Sequence, residues 1–351
     1  MNRFVGLFVA AILLATPLSA VASKKYSDKD GQRIEFGSFF GVDLWGTQVK
    51  PINAHGILYL PDGASSNNKV PLAILISGIG GQRGRDNRMC DMLAENGIAC
   101  FGVRTYASRG IKHDAKWSSK FNIAGAGSRL HDAYGALEHL KTHEAIDPKR
   151  IWHIGFSLGG FNSAMGLDPV MTSPFQQSDD DFVGFINLYG FCALTTTPKL
   201  KNVSYHGFIG SGDGNYHKAE CEAFINSIKQ RGVDASFTVF EGSQFKKIGH
   251  AWDSMSAISG GWHGKPEGPW KLNRDGKSTG SQGIGLYKCD FKVDPSQKSL
   301  NAASGSINSP NDVEGWDFAL KNCPKRKGVT TYNHKVMRQV DSAIVDIILG
   351  R

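Results

Sequence analysis

Residues Ile151-Trp152-His153-Ile154-Gly155-Phe156-Ser157-Leu158-Gly159-Gly160 decide how this chain folds. The run 151–154 is mostly apolar, as a strand buried on both faces must be. Directly after it comes G-x-S-x-G, the pattern of a sharp strand-to-helix turn. Most side chains on such a bend clash with the neighbouring backbone. Gly155 and Gly159, two positions either side of Ser157, remove the Cβ atoms that would collide. The bend pushes the Ser157 hydroxyl out over the sheet edge and sets a helix N-terminus beneath it. That geometry suits nucleophilic attack, and such a nucleophile needs partners elsewhere in the chain.

Short apolar runs recur on both sides of this turn, at 71–76, 98–103, 182–188, 205–209 and 235–241. Helical patterns alternate with them at 88–96, 128–143 and 216–230, and Gly97 stops the first. Leu130, Ala133, Leu137 and Leu140 share one helical face. Alternating strands and helices imply an α/β fold with a mostly parallel central sheet covered by helices on both faces. Antiparallel strands are expected within 23–60, before a Pro61-Asp62-Gly63 turn. An amphipathic helix at 333–349, with Val336, Val340, Ile344 and Ile347 or Ile348 inward, ends the chain. Residues 255–331 break the rhythm. They are rich in Gly, Ser, Lys and Asn, carry only a weak strand patch at 285–293, and read as a loop-rich insertion before the C-terminal helix.

A serine hydroxyl is a poor nucleophile at neutral pH. It needs a base, and the base needs an orienting acid. In this topology the chain order is nucleophile, acid, base. Asp213 leaves the 205–209 strand within Gly210-Ser211-Gly212-Asp213-Gly214, where a carboxylate can reach an imidazole. His250, in Ile248-Gly249-His250-Ala251, follows the last core strand. Glu241, Asp181 and Glu220 are weaker acids, and His206 and His217 weaker bases. The oxyanion of a tetrahedral intermediate needs N–H donors. One is expected from Leu158. The other is expected from Ile79 or Gly80, in Ser77-Gly78-Ile79-Gly80-Gly81. A dinucleotide reading of these glycines fails, because G-x-G-x-x-G would need glycine where Arg83 stands. Arg109, with Arg83 or Arg85 in the preceding loop, is placed to bind a substrate anion at the cleft rim; a structural hydrogen-bonding role is its alternative.

The chain has 351 residues and a formal net charge of +8, and it carries no basic-aromatic motif of a nucleic-acid binder. Residues 1–22 read as an export signal, with Arg3 at the start, an apolar run at 4–14 and Ala20-Val21-Ala22 at the cleavage site. Residues 23–351 then form one α/β domain without a stable membrane anchor. Six cysteines in an exported chain suggest disulfides. Proximity pairs Cys90 with Cys100, Cys192 with Cys221 and Cys289 with Cys323; free buried thiols are the alternative. No Cys-x-x-Cys pair exists, so no metal is expected.

These motifs together resemble the dienelactone hydrolase-like branch of the α/β-hydrolases. The likeness rests on 78–81, Tyr106-Ala107-Ser108-Arg109-Gly110, the 129–140 helix, 155–160, 210–213 and Gly249-His250, and spans about 50–255 plus the final helix. It implies a triad of Ser157, Asp213 and His250 that needs no cofactor. The founding lactone hydrolases carry cysteine where this chain has Ser157. That departure favours a small-molecule carboxylic ester or related acyl substrate over dienelactone. The expected activity is therefore that of an exported serine hydrolase, periplasmic or secreted. A peptidase or amidase of the same fold is the near rival, and a non-catalytic binding protein the distant one.

Overall fold

The computed structural model describes residues 31–42, 48–112, 114–115, 120, 123–195, 199–243, 247–254, 261–266, 270–272 and 325–351. The expected export signal, the 285–293 strand patch and the Cys289–Cys323 pair lie outside the described residues.

Eight strands form one sheet: β1 (Gln32–Val42), β2 (Gln48–Tyr59), β3 (Val70–Ile76), β4 (Ala99–Val103), β5 (Ile146–Phe156), β6 (Gly184–Leu188), β8 (Ser204–Gly210) and β9 (Asp234–Phe240). Their spatial order is β1-β2-β4-β3-β5-β6-β8-β9. β1 and β2 form the expected antiparallel hairpin, and β2 runs antiparallel to β4. From β4 to β9 every pairing is parallel. Among the described residues four further strands lie apart from this sheet as two pairs: β7 (Ala193–Thr195) runs parallel to β11 (Trp270–Leu272), and β10 (Gly261–Pro266) antiparallel to β12 (Lys325–Thr330).

Alternation along β3 shows how the layers are built. Leu72, Ile74 and Ile76 face one core, while Ala73 and Leu75 face the other. The first core is closed by α2 (Ala126–Leu140), through Leu130, Ala133, Leu137 and Leu140, and by α3 (Leu158–Met165). The second is closed by α1 (Gly84–Glu95) and α6 (His334–Leu349). Of the alternatives on α6, Ile348 points inward with Val336, Val340 and Ile344, and Ile347 is only partly covered. A short α4 (Pro169–Thr172) and α5 (Lys218–Gln230) complete the helices used below.

Several boundaries move. β5 begins five residues before the apolar run, because Ile146 pairs with Val70 ahead of an irregularity in the β3–β5 register. α1 starts at Gly84 rather than at 88. Its polar first turn gains no signal from hydrophobicity, yet the Arg83 N–H donates to Asp86 Oδ2 at 2.9 Å and caps it.

Disulfides join Cys90 to Cys100 and Cys192 to Cys221, as proximity suggested. They tie α1 to β4, and the segment after β6 to α5. Their separations of 10 and 29 residues set the chain entropy each removes from the unfolded state. Replacing both cysteines of a pair by alanine is expected to cost about 3 kcal/mol for Cys90–Cys100 and about 4 kcal/mol for Cys192–Cys221. Urea denaturation of the two double variants measures this; equal midpoints with the parent protein would refute it.

Candidate active site

Ser157 is the single residue between β5 and α3. Its backbone sits at φ 53° and ψ −107°, a region that side-chain-bearing residues avoid. The packing admits no relief. A Cβ on Gly155 would stand 1.9 Å from the Gly159 carbonyl oxygen, and one on Gly159 would stand 2.1 Å from that of Ile76. The Ser157 N–H donates to Leu188 O at 2.8 Å, and its carbonyl accepts from Phe161 N–H at 2.9 Å. Leu158 opens α3, so its N–H belongs to the first helical turn, whose donors have no intrahelical acceptor.

Asp213 lies three residues beyond the end of β8 and is buried. Its Oδ1 accepts from the Asn215 N–H at 2.8 Å, and its Oδ2 lies 2.7 Å from His250 Nδ1. A carboxylate only accepts, so Nδ1 carries a proton, and in the neutral imidazole Nε2 then bears the lone pair. Asp213 and His250 are thus brought together directly. The link from Ser157 to this pair runs through main chain and a neighbouring ring: Leu188 O takes the Ser157 N–H, and the ring of the next residue, Tyr189, meets the His250 imidazole edge-on at 4.9 Å.

The backbone around His250 is held by β12. His250 N–H donates to Val329 O at 2.7 Å, and Thr331 N–H returns a bond to His250 O at 3.2 Å. Val329 N–H donates to Gly212 O, and Gly212 N–H to Ile248 O, each at 2.8 Å. Thr331 Oγ1 accepts from Gly249 N–H at 2.8 Å. The end of the 255–331 segment therefore wedges between the Asp213 loop and the His250 loop. Sequence reasoning treated that whole segment as a loop-rich insertion. Lys325-Arg326-Lys327-Gly328 offers no apolar alternation from which a strand could be read.

The turn 78–81 closes with Gly81 N–H donating to Gly78 O at 2.9 Å, with Gly81 at φ 72°. It abuts Ser157: a Cβ on Gly78 would stand 3.0 Å from Ser157 Cβ. Tyr106 Oη donates to Ile79 O, and Arg129 Nη1 donates to Ser77 O at 2.7 Å. These bonds pin the carbonyls on the far side of the turn that carries Ile79 and Gly80.

Arg109 corrects an expectation. Its guanidinium does not reach a cleft rim; it is fully buried against Asp132, with Nη1 at 2.8 Å from Oδ2 and Nη2 at 2.9 Å from Oδ1. Nε and Nη2 also donate to the carbonyls of Phe40 and Phe39, at 2.9 and 2.7 Å. Asp132, on α2, captures the arginine, so this cation joins α2 to the end of β1. Arg85 is likewise internal, over the Phe156 ring at 5.1 Å, and 3.6 Å from Asp86. The weaker acids and bases are also occupied elsewhere. Asp181 pairs with Lys201, Glu220 with His217, and His206 with Ser236, while Glu241 is exposed. Among the described residues no cluster of His, Cys, Asp and Glu is arranged to hold a metal, and no helix is long and apolar enough to cross a membrane.

No family model matches this chain, and no curated protein matches it in sequence. Solved structures do match its fold. A dienelactone hydrolase-like promiscuous phosphotriesterase from metagenomic libraries aligns with a TM-score of 0.52 at 12% identity, covering 91% of this chain and 98% of its own. Thermogutta terrifontis esterase 2 aligns with a TM-score of 0.47 at 16% identity, covering 65% of this chain and 87% of its own. At such identities the likeness is one of architecture, and that architecture is the α/β-hydrolase fold.

Burial alone would raise the Asp132 carboxyl, but the Arg109 charge and hydrogen bonds, helped by Ser38, hold it below the ordinary value. Such a depressed carboxyl contributes stability above its unfolded value, about 3.9, and that stability is lost as pH falls through the folded value. Arg109→Ala strands the buried carboxylate and is expected to cost about 3–5 kcal/mol. Urea denaturation at neutral pH measures that loss, and a raised KM with unchanged stability would restore the ligand role.

Proposed function

We infer that this protein is an exported serine hydrolase that cleaves a carboxylic ester or related acyl substrate through an acyl-enzyme. The observation carrying this reading is the 2.7 Å contact between Asp213 and His250 Nδ1, together with a serine held at φ 53° on the turn after β5 whose N–H is bonded to Leu188 O, next to the Tyr189 ring that meets His250. Support for export comes from the leader-like 1–22 and from two disulfides.

In this mechanism His250 Nε2 takes the Ser157 proton as Oγ attacks the acyl carbon. Asp213 stabilises the imidazolium that forms and fixes the tautomer that can act as base. The oxyanion is held by the Leu158 N–H and by one N–H of the 78–81 turn, from Ile79 or Gly80. The imidazolium then protonates the leaving alcohol. Water, deprotonated by His250, attacks the acyl-enzyme and regenerates Ser157. No step calls on a metal or an organic cofactor.

The test is hydrolysis of p-nitrophenyl acetate together with labelling by a fluorophosphonate probe. Ser157→Ala is expected to abolish labelling and to lower kcat by about 10⁴-fold or more. Turnover of p-nitrophenyl acetate that survives Ser157→Ala undiminished would sink this mechanism, and preference for a matched p-nitroanilide would redirect it to amides.

A further inference from the structure

We propose that Tyr189 is a positioning residue, the joint that holds Ser157, Asp213 and His250 in one reactive arrangement; the proposal rests on the hydrolase reading above. Tyr189 stands one residue beyond β6, and its backbone is left-handed at φ 47° although it carries a bulky side chain. The conformation lets one residue face three ways. Its N–H donates to Phe208 O on β8 at 2.8 Å. Its carbonyl accepts from Asn215 Nδ2 at 2.7 Å, and the Asn215 N–H in turn holds Asp213 Oδ1. The preceding carbonyl, Leu188 O, accepts the Ser157 N–H. Main-chain atoms of 188–189 therefore reach the nucleophile directly and the acid through one asparagine.

The side chain reaches the loop of the base at three residues. The ring lies edge-on to the His250 imidazole at 4.9 Å and to Trp252 at 4.6 Å. The hydroxyl donates to Asp253 Oδ1 at 2.8 Å. His250 and Asp253 belong to the same loop, on either side of Ala251, itself left-handed at φ 55°. Ring and hydroxyl thus grip the loop before and after its strained residue, which fixes the height and tilt of the imidazole. Leucine would keep an apolar but smaller side chain there, without the aromatic edge and without the donor. Burial first, and Asp253 beside it, push the Tyr189 phenol well above its ordinary value, although Arg85 pulls the other way. The hydroxyl stays protonated and remains a donor. The Arg85 guanidinium lies 5.9 Å from the Tyr189 ring centroid.

Three variants separate the ring from the hydroxyl: Tyr189→Leu, Tyr189→Phe and Asp253→Asn. Each is read by kcat and KM on p-nitrophenyl acetate, by the rate of fluorophosphonate labelling, and by the low-field NMR resonance of the His250 Nδ1 proton shared with Asp213. Asp213→Asn assigns that resonance. Tyr189→Leu is expected to lower kcat about 100-fold with KM little changed, to slow labelling in parallel, and to abolish the resonance. Tyr189→Phe and Asp253→Asn keep the ring and remove the hydroxyl grip, and each is expected to keep the resonance and to lower kcat by about three- to tenfold. A folded Tyr189→Leu protein with parental kcat, labelling and resonance overturns the proposal. If that variant does not fold, parental kcat in both Tyr189→Phe and Asp253→Asn overturns it instead. If the parent protein neither labels nor turns over, the hydrolase reading has failed separately. The resonance then decides alone, and its persistence in Tyr189→Leu overturns the joint.

Discussion

The absence of two Cβ atoms, at Gly155 and Gly159, is the constraint on which the site depends. It lets β5 turn into α3 within one residue while the Gly159 backbone lies against the carbonyl of Ile76 on β3. Ser157 must then adopt φ 53°, and the cost of such a conformation is on the order of 1–3 kcal/mol. Two further non-glycine residues with left-handed backbones, Tyr189 and Ala251, adjoin the same edge of the sheet. Their strain persists because neighbouring residues fill both cores. Phe156, Ile186, Leu188, Phe208 and Ile209 carry the strands to this edge, and Ile248 and Trp252 seal the base loop from the same side. The strained residues are where hydroxyl, ring and imidazole have to be aimed, and the core is what prevents them from relaxing.

Acid and base are aligned mostly by main-chain bonds. The bonds that join Val329 and Thr331 to Gly212 and His250 use main-chain atoms alone, and only the bond from the Gly249 N–H needs a side chain, the Thr331 hydroxyl. What they require is close approach. A Cβ on Gly249 would stand 2.0 Å from Val329 O, and one on Gly328 would stand 2.0 Å from Gly214 N. A strap of this kind makes the Asp213–His250 distance a property of three backbone segments. None of the bonds from this strap to the His250 loop involves a titrating group.

Much of this was legible in the sequence, and the reasons differ by element. The parallel strands were legible because burial on both faces forces unbroken apolar runs such as 72–76. The tight turn at Ser157 was legible because only glycine fits two positions to either side of it. Asp213 and His250 were legible from chain order and from the glycines that let their loops bend. β12 was not, because its role lies in carbonyls and amides that every residue has. Arg109 misled because the chemistry that suits an anionic ligand also suits Asp132, and only the packing of α2 against β1 brings that carboxylate within reach. Tyr189 left no signal either. A tyrosine after an apolar strand reads as ordinary core until its neighbours are known.

The two disulfides bear on the same edge. Cys192 follows Tyr189 by three residues, and Cys221 lies on α5, which begins five residues after Asp213. Tyr189 also reaches the Asp213 loop through Asn215, so the covalent link closes a short circuit around the segments that position the acid. Cys90–Cys100 does the same for α1, whose N-terminus follows the 78–81 turn. Strain at Ser157, Tyr189 and Ala251 lowers the stability of the folded chain. A crosslink that removes entropy from the unfolded chain offsets that loss without touching a site atom. Stabilising the same loops by enlarging their side chains is closed off, since glycines 155, 159, 212 and 249 leave no room for a methyl group. Where the site forbids better packing, restricting the unfolded state is the route left to the chain.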